Sequence, residues 1–151
     1  MSAQVPVPGC QKKLGALWFS VAALLFLFLV VQSILGVYRY HTETGVQNLT
    51  SDAWGWFLPT LMPTLSLIAA VFATDVARGE NAIPTVDRFF FRMAFSLSVL
   101  YLAVVVMSLL GTTLFSPDPL SDLKTSNLWL GPLQGLASAA IGAFFVKRGR
   151  R

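Results

Sequence analysis

Leu24-Leu25-Phe26-Leu27-Phe28-Leu29-Val30-Val31 is apolar without a break, and it neither alternates nor repeats every three to four positions. A strand with one wet face would alternate, and a helix with one wet face would show polar positions at helical spacing. A segment apolar on every side has no wet face. Four such blocks occur, at about 14–38, 54–77, 89–115 and 128–146. Each approaches or exceeds the roughly 20 residues a helix needs to cross a bilayer. Backbone polar groups in hydrocarbon must be satisfied within the segment, which restricts the spans to helices or a closed barrel. A barrel needs alternating strands of about ten residues, and Leu24 to Val31 does not alternate. The pattern therefore predicts an all-α fold: an integral membrane four-helix bundle with four transmembrane helices in one domain over residues 1–151.

The block edges carry interfacial devices. Tyr38 and Tyr40 end the first, Trp54 and Trp56 open the second, and Trp129 opens the fourth. Such amphipathic rings favour the headgroup level. Pro117 and Pro119 close the third, since neither can donate the next helical hydrogen bond. Lys12 and Lys13 before the first block resemble the start of a secretory signal, but the apolar run is too long for one, so it reads as an uncleaved anchor.

Composition agrees with a membrane solvent. Of 151 residues 55% are hydrophobic and only 12% charged, about half the charged share of a soluble domain. Charge then sets orientation. With four crossings, one side holds Lys12, Lys13, Arg78, Arg88, Arg92, Lys147, Arg148, Arg150 and Arg151, nine cations, and the other holds Arg39 and Lys124. Cytoplasmic loops carry the excess of Lys and Arg, so both termini are expected inside, in a plasma or inner membrane.

Three groups of residues are candidates for function. Pro59 and Pro63, four apart, leave the carbonyls of Gly55 and Pro59 without their usual donors. Thr60 and Thr64 are placed to satisfy them, or the opened backbone lines a wet cavity. Second, Gln32 and Gln134 lie six residues inside the outer ends of the first and fourth blocks, about 9 Å deep. Thr64 and Ser108 fall near the same level. This polar layer reads either as an interhelical clasp or as a pore lining. Third, Gly131, Gly135, Ala139 and Gly142 form a small-residue stripe that permits close helix packing, within one copy or between copies.

Lys147, Arg148, Arg150 and Arg151 are expected on anionic lipid headgroups at the cytoplasmic face. No carboxylate, lysine or histidine sits in the middle of a block, which argues against a proton pump or an ion-coupled transporter. The single Cys10 and single His41 offer no disulfide, metal set or catalytic pair. No enzymatic activity, no cofactor and no nucleic-acid partner is expected. The function expected is a homo-oligomeric channel or pore-like assembly. The alternative is a non-conducting accessory subunit or membrane anchor for a partner protein.

Overall fold

The computed structural model describes residues 4–42, 45–78 and 85–146, with side chains over 9–39, 49–73 and 88–144. Four helices dominate: α1 Val7–Ile34, α2 Thr50–Arg78, α3 Arg88–Phe115 and α4 Pro119–Val146. The all-α expectation holds, with two short antiparallel strand pairs added in the connections. Gln4–Pro6 (β1) pairs with Thr85–Asp87 (β4), and Arg39–Thr42 (β2) pairs with Gly45–Asn48 (β3). The first pair ties the N-terminal segment to the α2–α3 connection, at the same end of the bundle. The second forms a hairpin at the opposite end.

Segments Gly9–Ile34, Thr50–Ala73 and Arg88–Phe115 are long and apolar enough to cross a membrane; α4 is not among them. Its opening turns carry Ser121, Asp122, Lys124, Thr125, Ser126 and Asn127, and Pro132, Gln134 and Ser138 follow. The third helix lies within a residue of its expected bounds. The other three do not, and α2 begins at Thr50 rather than Trp54. Gly36, at φ 71°, ends α1 at Ile34 rather than near Tyr38. Beside it Val37 N–H donates to the Gln32 carbonyl at 3.1 Å and Gly36 N–H to that of Ser33 at 3.3 Å. This is the bonding of a left-handed glycine stop. At the other end of the sequence α4 starts at Pro119, well before residue 128. Asp118 precedes it as a cap, its Oδ1 accepting from Ser121 N–H at 3.4 Å, and proline at the first helical position is pre-set for the helix.

The inward stripe of α1 runs Gln11, Leu14, Trp18, Ala22, Leu25, Leu29 and Gln32, and that of α3 runs Ala94, Ser98, Tyr101, Val105 and Leu109. Their spacing of three to four keeps one face toward the bundle. Trp18 stacks on Tyr101 with ring centroids 5.7 Å apart, joining α1 to α3. Phe57, Leu61 and Ile68 of α2 and Leu130, Ala137 and Ile141 of α4 complete the core.

Glycine packing differs from the expectation. A Cβ added at Gly131, Gly135 or Gly142 would meet nothing within 4 Å, and Gly131, Gly135 and Ala139 are exposed. The small stripe of α4 therefore makes no close helix contact within the chain. The close approach is at Gly15 of α1, where a Cβ would lie 2.6 Å from the Phe72 ring of α2. Gly15→Val should destabilise the purified protein by about 1–3 kcal/mol through overpacking. Gly131→Val should leave the midpoint of a denaturant-induced unfolding curve nearly unchanged. Equal effects at both positions would contradict this packing.

Candidate functional site

Proline at positions 59 and 63 removes two N–H donors from the middle of α2, yet the helix continues through both. The missing bonds are the ones to Gly55 O and Pro59 O, four residues back. In hydrocarbon such carbonyls need a partner from a neighbouring element. Gln134 of α4 supplies it for Pro59. Its Nε2 donates to the Pro59 carbonyl at 3.1 Å and to the Thr60 carbonyl at 3.0 Å. Tyr101 of α3 donates its hydroxyl to the same Thr60 carbonyl at 2.5 Å. One turn of α2 is thus held from two sides, by an amide and a phenol.

The threonines take other roles than those expected. Thr60 Oγ1 donates to the Trp56 carbonyl at 2.6 Å, and Thr64 Oγ1 shares a hydrogen bond of 3.0 Å with Ser138 Oγ. Neither caps Gly55 O or Pro59 O. Trp56, expected at a headgroup surface, is instead buried, with its indole N–H on Ser126 Oγ at 3.1 Å. Of the expected interfacial tryptophans Trp129 is exposed, while Trp54 is half-buried and donates to Ser33 Oγ at 3.2 Å.

The expected polar layer at one depth is not built. Gln134 meets α2 at Pro59 and Thr60, whereas Ser33, next to Gln32, meets it at Trp54. Five to six residues of helix separate those levels, about 8 Å. The cause is the shifted helix ends: Gly36 stops α1 early, which leaves Gln32 in its last turn. Gln32 is buried and its Oε1 has no hydrogen-bond partner among the described residues, while the bonds of Gln134 go to Pro59 and Thr60. Ser108 enters the bonding only through its carbonyl, which accepts from Thr112 Oγ1 at 2.7 Å. Of the candidates, the structure brings together Pro59, Thr60 and Gln134, sets Thr64 one turn further along α2, and leaves Gln32 and Ser108 apart. Pro63 is exposed and acts through the donor it lacks. Lys147, Arg148, Arg150 and Arg151 lie outside the described residues.

Tyr101 and Ser138 were missed from sequence. Tyr101 was legible in principle, as a polar-tipped ring in the middle of an otherwise apolar span. Ser138 sits one turn after Gln134 on the same face of α4, which places both toward α2.

Outside the bonded turn, a pocket of about 230 Å³ opens in the groove between α2 and α4, lined by Gly55, Trp56, Pro59, Thr60, Asn127, Leu130, Gly131 and Gln134. Bare backbone forms part of its wall, since a Cβ at Gly55 or Gly131 would meet nothing within 4 Å. One turn beyond it, Lys124 Nζ pairs with Asp52 at 2.8 Å across the same two helices. Both groups are well exposed, so that pair marks the wet end of the groove more than it stabilises it. A second groove of about 220 Å³, between α1 and α2, is lined by apolar side chains including Phe19, Phe26, Leu61 and Met62.

Comparison with known proteins adds no relative: no family model, no curated protein and no solved structure matches this chain.

Proposed function

We propose that this chain is an integral membrane protein, both termini cytoplasmic, that self-associates through its α2–α4 face into a pore-like assembly. The path lies between copies. The supporting observation is a contrast between outward surfaces. Those of α1 and α3 carry large apolar side chains, among them Leu24, Leu27, Val31, Leu100, Met107 and Leu114. Those of α2 and α4 also expose Leu58, Met62, Leu128, Trp129 and Leu136, but beside these they carry a run of small or polar positions, unlike the α1 and α3 positions just named: Gly55, Pro59, Pro63, Ser66, Gly131, Gly135 and Ala139. Large apolar side chains suit acyl chains, whereas small residues suit helix-to-helix approach within a bilayer. Within one copy the centre is filled by Trp18, Phe57, Leu61 and Tyr101, so a path through a single bundle is not the reading favoured here.

Orientation is supported by the β1–β4 pairing, which puts the N-terminal segment and the α2–α3 connection at one end. Lys12, Lys13, Arg88 and Arg92 belong to the helix turns at that end, and Arg39 and Lys124 to the other. The positive-inside bias then puts the first end in the cytoplasm, with the basic tail on anionic headgroups.

A second reading, a non-conducting accessory subunit or anchor, has its own support. Gln134, Thr64 and Tyr101 spend their hydrogen bonds inside the bundle, which leaves fewer polar groups to line a path. The α2–α4 face would then receive a foreign helix. Mass measurement in mild detergent and planar-bilayer recording separate the two. We expect a homo-oligomer that conducts, and a Gly135→Leu variant that is monomeric, silent and as stable as the parent, because a Cβ at that exposed position meets nothing within 4 Å. A stoichiometric foreign subunit would replace the pore reading with the accessory one. Silence under voltage and tension would remove it.

A further inference from the structure

We propose that the α2–α4 pocket is a binding site for the hydroxyl-bearing headgroup of an uncharged, single-chain glycerolipid. The inference rests on the membrane placement proposed above but not on self-association.

The argument begins with the donors and acceptors on the pocket wall. Four lining side chains could donate, and three of them, those of Trp56, Thr60 and Gln134, are committed elsewhere. The Trp56 indole N–H goes to Ser126, the Thr60 hydroxyl to the Trp56 carbonyl, and the Gln134 amide N–H groups to the Pro59 and Thr60 carbonyls. What remains faces the other way. The Gly55 carbonyl cannot receive its usual helical bond because the residue four ahead is Pro59, which has no N–H. Gln134 is bonded through Nε2, and no hydrogen bond to its Oε1 is seen among the described residues. Asn127, exposed at the mouth, can turn either end of its amide inward. Apart from Asn127 at the mouth, the wall thus offers acceptors, and an occupant that both donates and accepts, such as a hydroxyl, suits it.

Charge narrows the class. No carboxylate lines the pocket, and the nearest ion pair, Asp52 with Lys124, is neutral as a unit. An ammonium or metal cation would face too few oxygens to replace its water and would lack a counter-charge. An uncharged hydroxyl needs neither. Depth and shape narrow it further. Gly55 lies three residues inside Asp52, and Gln134 ten residues inside Lys124, so the pocket spans about 5–15 Å below the ion pair. That is the level of glycerol and ester groups. About 230 Å³ holds several groups the size of a water, each near 30 Å³. From its inner end the exposed backbone of Gly135 and the methyl of Ala139 continue along α4 as a shallow bed for one acyl chain.

The test uses the full-length protein in detergent and native mass spectrometry. Monooleoylglycerol should remain bound, while methyl oleate, which has the same chain and no donor, should not. Gly55→Leu fills the pocket from α2 and leaves the α4 stripe untouched; a Cβ at that position meets nothing within 4 Å, so the side chain enters open space and the variant should fold. It should weaken retention of monooleoylglycerol about tenfold, the factor that corresponds to one lost hydrogen bond between neutral groups. Equal retention of methyl oleate, or undiminished binding by Gly55→Leu, would overturn the proposal. Displacement by free glycerol at equal concentration would also overturn it, by assigning the site to a soluble polyol. Gly55 lies on the face proposed for self-association, so oligomer mass and lipid retention are read in the same spectra of parent, Gly55→Leu and Gly135→Leu proteins: loss of lipid with an intact oligomer, or the reverse, tells which of the two readings fails.

Discussion

Gln134→Leu should lower the stability of the purified protein by about 1–3 kcal/mol, and the loss should depend on Pro63. The substitution keeps the bulk of the side chain and removes the amide that serves the Pro59 and Thr60 carbonyls. The Thr60 carbonyl retains Tyr101, but the Pro59 carbonyl is left without a donor from its own helix. In hydrocarbon an acceptor left without a donor costs about 1–3 kcal/mol, more than the roughly 0.6 kcal/mol average for hydrogen bonds between membrane helices. The larger figure applies because proline has also removed the fallback that an ordinary helix would offer. Pro63→Ala restores that N–H. In its background, Gln134→Leu should cost less than about 1 kcal/mol, read from equilibrium unfolding of all four proteins. Equal losses in both backgrounds would show that Gln134 acts by packing alone.

The second large effect concerns the solvent. Leu24 is 67% exposed in the middle of α1, and Leu100 is 50% exposed in the middle of α3. On a water-soluble surface Leu24→Lys or Leu100→Lys would change stability by less than about 0.5 kcal/mol. In a bilayer, lysine at the centre of a helix costs about 2.5–3.5 kcal/mol on insertion scales. Each variant should therefore reduce the membrane-inserted fraction, measured by carbonate extraction, by well over tenfold. Unchanged extraction would mean that these faces do not meet lipid.

How much of this was legible in the sequence can be judged residue by residue. Unbroken apolar runs announced the helices, since nothing else satisfies a backbone in hydrocarbon, and α3 was located within a residue. The proline-opened turn of α2 was also readable, because a missing N–H is a matter of covalent structure. Which residue would answer it was not. Thr60 and Thr64 are nearer in sequence, but Gln134 reaches the carbonyl from α4, and only the packing of two helices decides that. Reading depth from block ends failed for a related reason. Apolarity marks where lipid begins, whereas Gly36 and the Asp118-Pro119 pair mark where helices end, and the two do not coincide. Small residues misled in the same way. Gly131, Gly135 and Gly142 look like packing sites in one dimension, yet Gly15, alone in its neighbourhood, is the position that another helix crowds.

The cap on α2 also has a consequence for biosynthesis. Pro59 and the amide that serves it are separated by 75 positions in the chain. At about 5–20 residues per second, the ribosome delivers the second about 4–15 s after the first. During that interval the Pro59 carbonyl has neither a donor in its own helix nor the one from α4, so this turn of α2 is completed only after the last helix has been made.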